Sequence, residues 1–211
     1  MQAGRRNDVT FETLPVVHLD RSILPEYPDA EADDVLTALA RRFGRIVIVD
    51  VQGVRRNDAD LEFYQQAGKR RELWVDAGSR FATDAMDLFI AGAVQVTMRW
   101  NTLARPNEFE EAAEVAQPGN LFLGLEYPHG EFLRHRKDNR SAAEVVAWAH
   151  ELGAGVVHIL HEPDAAAARA LPVGGERWLM GAPLRLAADL QAMGFAGLGV
   201  PAVHVPAEEP A

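Results

Sequence analysis

Cysteine is missing from this 211-residue sequence altogether. Disulfides, thiolate metal sites and cysteine nucleophiles are therefore excluded. Lysine is almost as scarce: Lys69 and Lys137 are the two present, and both stand in polar segments, beside "RR" and inside "RHRKDNR". Schiff-base chemistry needs a desolvated lysine, and no apolar run here carries one. Basic charge is outweighed, with a net charge of −10 and no basic stripe interleaved with aromatics, which argues against a nucleic-acid surface. The cluster "KRR" at 69–71 reads as a solvated helix end. No run of 18 apolar residues occurs, and the opening "MQAGRRNDVT" has no apolar core. No membrane association is expected, and the cytoplasm is the expected compartment. G-x-S-x-G, the P-loop and G-x-G-x-x-G are absent too, which disfavours hydrolase triads, NTPases and dinucleotide-binding oxidoreductases.

What is present alternates. Short Val/Ile/Leu runs predict strands over 15–20, 45–50, 72–76, 93–98, 120–126, 155–160, 177–181 and 196–200. Ala-rich amphipathic stretches predict helices over 31–43, 58–68, 81–91, 107–116, 141–152, 164–170 and 183–193. Asp58, Asn107, Ser141 and Asp164 stand where N-caps belong, and Gly44, Gly92 and Gly153 where helices stop. Strands apolar on both faces and separated by helices mean a parallel sheet. Eight of them predict a (βα)₈ barrel, here a short one. The Pro-rich tail "PAVHVPAEEPA" predicts a short or missing final helix.

The chain also resembles itself. Shifted by 105 residues, "AGSRFATDAMDLFIAGA" (77–93) meets "APLRLAADLQAMGFAGL" (182–198), with Ala77/Ala182, Arg80/Arg185 and Asp84/Asp189 among the identities. A shift of 106 lays Leu19-Asp20 on Leu125-Glu126. Two segments thus agree on half the chain length, which predicts one domain over 1–211 made of half-barrels at about 14–116 and 120–200.

Four strands end on an acid: Asp20, Asp50, Asp76 and Glu126. Catalytic groups of such barrels lie at the C-terminal ends of strands. Asp20 and Glu126 end strands that face one another, so the pair is expected to work as acid and base; the alternative is that each caps its own loop. So many acids would suit a cationic or amine-bearing ligand. Hard cations want several convergent oxygens, and no metal or cofactor is expected. In "VVHILHEP", His161 is a candidate for the barrel mouth and His158 a core histidine. Tyr27, Tyr127 and His129 are expected on loops after strands 1 and 5, where they could cover a ligand.

"RIVIVDVQGVRRNDADLEFYQQAG", "LWVDAGSRFATDAMDLFIAGA" and "NLFLGLEYPHGEF" resemble the histidine-biosynthesis barrel family, which includes the phosphoribosylformimino-aminoimidazole carboxamide ribotide isomerase. Within it the likeness is greatest to isomerase-like proteins associated with tetrahydromethanopterin-linked one-carbon metabolism, over roughly residues 14–200. The resemblance implies a two-half-barrel fold and an Amadori-type isomerase of a small phosphorylated metabolite. It places the proton transfers on Asp20 and Glu126. Asp50, Asp76, Gly78, Arg80, Arg99, His161 and Gly181 would line the substrate pocket. The chain departs from the family pattern at its phosphate loops. Asp76 stands where a glycine is usual, "TMRWNT" replaces a Gly-Thr strand end, and "GLGVPA" replaces a glycine-arginine loop. Arg80 or Arg99 would have to substitute for lost backbone donors. The alternative expectation is a barrel that has lost catalysis and binds a protein partner or a second copy of itself.

Overall fold

Eight parallel strands close on themselves in sequence order in the computed structural model, which describes residues 10–204. The first nine residues and the tail beyond His204 lie outside that range. The strands are β1 (Glu12–Leu19), β2 (Arg45–Asp50), β3 (Glu72–Asp76), β4 (Ala93–Arg99), β5 (Leu121–Tyr127), β6 (Gly155–Leu160), β7 (Arg177–Met180) and β8 (Gly197–Pro201). The fold is a (βα)₈ barrel. Closure is the pairing of β1 with β8, from Glu12 opposite Gly197 to Val16 opposite Pro201.

The helices are α1 (Ala32–Phe43), α2 (Val51–Arg56), α3 (Leu61–Ala67), α4 (Ala82–Ile90), α5 (Asn107–Val115), α6 (Ala142–Glu151), α7 (Ala165–Arg169) and α8 (Ala187–Ala192). Local chemistry starts and stops most of them. Ser141 forms a reciprocal capping box with Glu144 on α6, and Asp164 accepts from Ala167 N at 2.7 Å on α7. Gly44 and Gly153, at φ +76° and +77°, end α1 and α6 in the left-handed region that glycine tolerates.

Three expectations are corrected. The helix expected over 58–68 begins at Leu61 and is capped by Asp60, not Asp58. Asn107 is the first residue of α5 rather than its cap. An extra helix, α2, starts directly off β2, where a loop was expected. After β8 the described chain makes only a 3₁₀ turn, Ala202–His204.

Alternation along each strand sorts the core into two layers. One face packs on the helices through Leu19, Leu36, Tyr64, Leu88 and Phe109. The other fills the barrel with Leu14, Val16, Val47, Trp74, Phe122, Val157 and Trp178. Three of these are large aromatics, Trp74 lying 4.2 Å from Phe122 and 5.0 Å from Trp178 between ring centroids. Glycine makes room for them. A Cβ on Gly155 would lie 2.4 Å from the Phe122 ring, and one on Gly197 would lie 2.3 Å from Trp178. Below this plug Arg45 donates to Gln95 at 2.7 Å, closing the N-terminal end. Inside the barrel, open space lies at the C-terminal mouth.

Candidate active site

Strand parity decides which side chains reach the mouth. Leu14, Val16 and His18 share the inward face of β1; Val47 and Val49 that of β2; Trp74 and Asp76 that of β3; Thr97 and Arg99 that of β4. Above the aromatic plug they surround a cavity of about 130 Å³. Its walls are largely apolar, with Val49, Ile159 and Met180 among them, and its polar groups include His18, Asp76 and Arg99.

Arg99 organises the site. Its Nε donates to both carboxylate oxygens of Asp76, at 3.1 and 2.9 Å, and its Nη1 donates to Glu126 Oε1 at 2.5 Å. All three side chains are nearly withdrawn from solvent, at 12%, 6% and 13% exposure for Arg99, Asp76 and Glu126. Burial pushes the Asp76 carboxyl above its ordinary value, and Arg99 only partly offsets this. Burial alone would lower Arg99, but Asp76 and Glu126 outweigh it and hold the guanidinium above its ordinary value. The rise at Asp76 works against the ion pair, and the rise at Arg99 works for it. One cation gains from two anions, whereas each anion shares one cation and pays its own desolvation. With both acids ionised the network carries one net negative charge.

The expected site residues divide. Asp76, Arg99 and Gly181 border the cavity, and Glu126 reaches it through Arg99. Asp20 lies just past β1, where Gln52 of α2 donates to its Oδ1 at 2.7 Å. Asp50 faces outward, toward the helices. It accepts from Gly53 N, Asp60 N and the Tyr64 hydroxyl at 2.9, 3.0 and 2.9 Å, so its oxygens serve as a helix cap and tie down the next loop. Gly78, at φ +64°, sits so close to α2 that a Cβ would lie 2.5 Å from Val54 Cα; its part is tight packing. Arg80 reaches the carbonyl of Arg55 at 3.5 Å and does not border the cavity. His161 is exposed beyond the end of β6. His158 is a core residue, as expected. Its Nδ1 meets the Tyr127 hydroxyl at 3.1 Å, and burial holds its pKa down to about 3. Tyr127 is corrected from a loop to the last residue of β5, buried under the helix layer.

A pair that the sequence reading passed over stands at the mouth. Beyond Val16 the β8 side of β1 has no strand partner, because β8 ends at Pro201. Glu26 fills that gap. Its Oε1 accepts from the backbone N–H of His18 at 3.1 Å and makes a short hydrogen bond with the same residue's Nδ1. The signal was available: His18 falls on the inward parity set by Leu14 and Val16.

A second opening, of about 470 Å³, lies outside the barrel between the loops after β1 and β2, lined by Arg21, Gln52, Arg56, Asp58 and Asp60. It is larger but shallow, and Asp60 within it is engaged, accepting from Ser22 Oγ at 2.5 Å and from Phe63 N at 3.0 Å. The inner cavity, with its buried charges and apolar walls, is the better place for chemistry. No group of three or more His, Asp or Glu side chains is placed to hold a metal among the described residues. None of the described helices is long and apolar enough to cross a membrane. No family model matches the chain, and no curated protein matches it. The resemblance to the histidine-biosynthesis barrels therefore rests on its short motifs alone.

Proposed function

We propose that this barrel is a cytoplasmic acid–base enzyme of the isomerase type, acting on a compact metabolite held in the inner cavity. The observation that carries the reading is the Asp76–Arg99–Glu126 network, buried and opening onto an otherwise apolar cavity. A guanidinium in such a place stabilises negative charge that develops on a carbonyl oxygen, and does so more strongly than in water. Asp76, its carboxyl pushed up by burial, is suited to hold and give a proton beside it. Glu126 fixes the other edge of Arg99. The reading differs from the sequence expectation in one respect. Asp76 borders the cavity, Glu126 acts through Arg99, and Asp20 is held by Gln52 outside it.

Size and charge narrow the ligand. An apolar cavity of roughly 150 Å³ accepts a benzene-sized guest, so about 130 Å³ suits a three- or four-carbon metabolite or the reactive end of a longer one. A phosphate, if present, would have to lie at the rim, since Pro201 offers no N–H at the end of β8. The motif resemblance supplies the setting, synthesis of a tetrahydromethanopterin or methanofuran cofactor. Ligand-induced change in melting temperature tests the reading, with small hydroxyaldehydes and hydroxyketones offered bare and phosphorylated. The expected result is a rise in the wild type that disappears in Arg99→Met. No rise with any of them counts against a small-molecule site.

One observation favours the second reading, a barrel serving a protein partner. Ile23, Phe81, Leu133, Leu184 and Val203 all follow strand ends and are exposed, between 38% and 59%. They place apolar side chains on the C-terminal face. A partner on this face would cover the mouth, so a stable complex whose formation blocks ligand-induced stabilisation would favour this reading.

A further inference from the structure

We propose that His18, oriented by Glu26, is the proton-transferring base of the inner cavity, and that its substrate is a small α-hydroxy or α-amino carbonyl compound. The inference rests on the acid–base reading above and names the group that reading lacks. Arg99 holds both oxygens of Asp76, and Glu126 does not border the cavity. His18 does. Its ring borders the same cavity as Arg99. Glu26 Oε1 binds both the backbone N–H of His18 and Nδ1 of its ring, which fixes the ring's place. In the neutral ring a carboxylate on Nδ1 requires the proton there, so Nε2 carries the lone pair. Among the described residues Nε2 makes no hydrogen bond to another side chain or to the backbone.

The chemistry balances without a co-reactant. Nε2 takes the proton from the carbon between the carbonyl and the hydroxyl or amine. The C–H bond breaks, an N–H bond forms, and the electron pair passes into a C=C bond and onto the carbonyl oxygen, whose charge Arg99 meets. Asp76 protonates that oxygen. The imidazolium then returns its proton to the neighbouring carbon, and Asp76 recovers its own from the hydroxyl or amine that becomes the new carbonyl or imine. Nothing is oxidised or reduced overall, and the product is the isomer. Glu26 acts through His18 and is a positioning residue.

The test has two parts. The ¹⁵N spectrum of the wild-type His18 ring at neutral pH should show the Nδ1–H form, and Glu26→Gln should shift it toward a mixture of tautomers. An Nε2–H form in the wild type overturns the proposal without any ligand. The second part follows loss of carbon-bound hydrogen from dihydroxyacetone and from its phosphate in D₂O by ¹H NMR. The wild type should catalyse exchange. His18→Gln should slow it by about 10²- to 10⁴-fold, the usual worth of a positioned base. Glu26→Gln should slow it less and change its pH profile. Exchange at the wild-type rate in His18→Gln overturns the role of His18 and leaves the acid–base reading standing. No exchange with either probe in the wild type, beside the Nδ1–H tautomer, overturns the acid–base reading itself.

Discussion

Arg99 is worth more to this fold than an ordinary ion-pair partner, because two buried carboxylates depend on it. Breaking a buried pair by removing one member typically costs ~3–5 kcal/mol, since the survivor is left uncompensated. Arg99→Met is expected to destabilise by about that much, read as a fall in the urea midpoint with an unchanged slope. Adding Asp76→Asn and Glu126→Gln should restore most of the loss, because the uncompensated charges go with it. Asp76→Asn alone should behave in the opposite way. The native carboxyl binds its proton more readily than the unfolded one, so its contribution is fully present below the unfolded pKa. It is lost as pH rises through the higher native value. Where the pH exceeds that native value Asp76 is ionised at a cost, and the neutral amide should raise the melting temperature there. The gain should vanish below the unfolded value of 3.8. An Asp76→Asn variant less stable than the wild type above the native value would mean that the ion pair outweighs burial. Parity along β3 and β4 makes both residues readable as inward-facing. That Arg99 spans 23 and 27 residues to join them was not readable, since only barrel closure sets those distances.

Elements were legible where propensity, period and caps agreed, and illegible where tertiary packing chose the residue. The β-branched runs of β2, β4 and β6 and the capping box of α6 could be read directly. Helix α2 could not, because "VQGVRR" carries a glycine that reads as a breaker. Gly53 is there for space: a Cβ would lie 2.6 Å from the carbonyl oxygen of Ala77, so α2 lies this close to the end of β3 only without a side chain. The turn after β1 is a similar case. Asp20 and Ile23 exchange backbone hydrogen bonds at 2.9 and 3.2 Å, with Arg21 and Ser22 both left-handed between them, at φ +52° and +63°. That is a type I′ hairpin turn built without the usual Asn-Gly. Arg21→Asn should relieve part of the strain and stabilise by roughly 1 kcal/mol, measured by denaturant unfolding. A loss of stability instead would mean that the arginine makes a compensating contact in the cleft. Inside the barrel the same logic runs the other way. Gly155→Ala would push on the Phe122 ring and should cost about 1–3 kcal/mol by overpacking.

At the scale of the whole molecule the internal repeat predicts how the barrel divides. Helix α8 begins at Ala187, 105 residues after α4 begins at Ala82, which is the shift that aligned their sequences. A barrel made of two halves has two seams, β4 with β5 and β8 with β1. The aromatic plug crosses between the halves, Trp74 coming from the first and Phe122 and Trp178 from the second. The Asp76–Arg99–Glu126 network crosses too, with Glu126 on the far side of the β4–β5 seam. Each half alone would expose these aromatics and two strand edges, so neither should be stable by itself. Together they have everything needed to close. The chain can be cut between Gln117 and Pro118, both exposed in the turn before β5. The two fragments, co-expressed, are expected to elute as one complex of the intact mass with the far-ultraviolet circular dichroism of the whole chain. Ligand-induced stabilisation should return with it, since the cavity borrows walls from both halves. Fragments that fold but stay apart would show that each half buries its own aromatics. The repeat would then be a likeness of sequence without a seam in the structure.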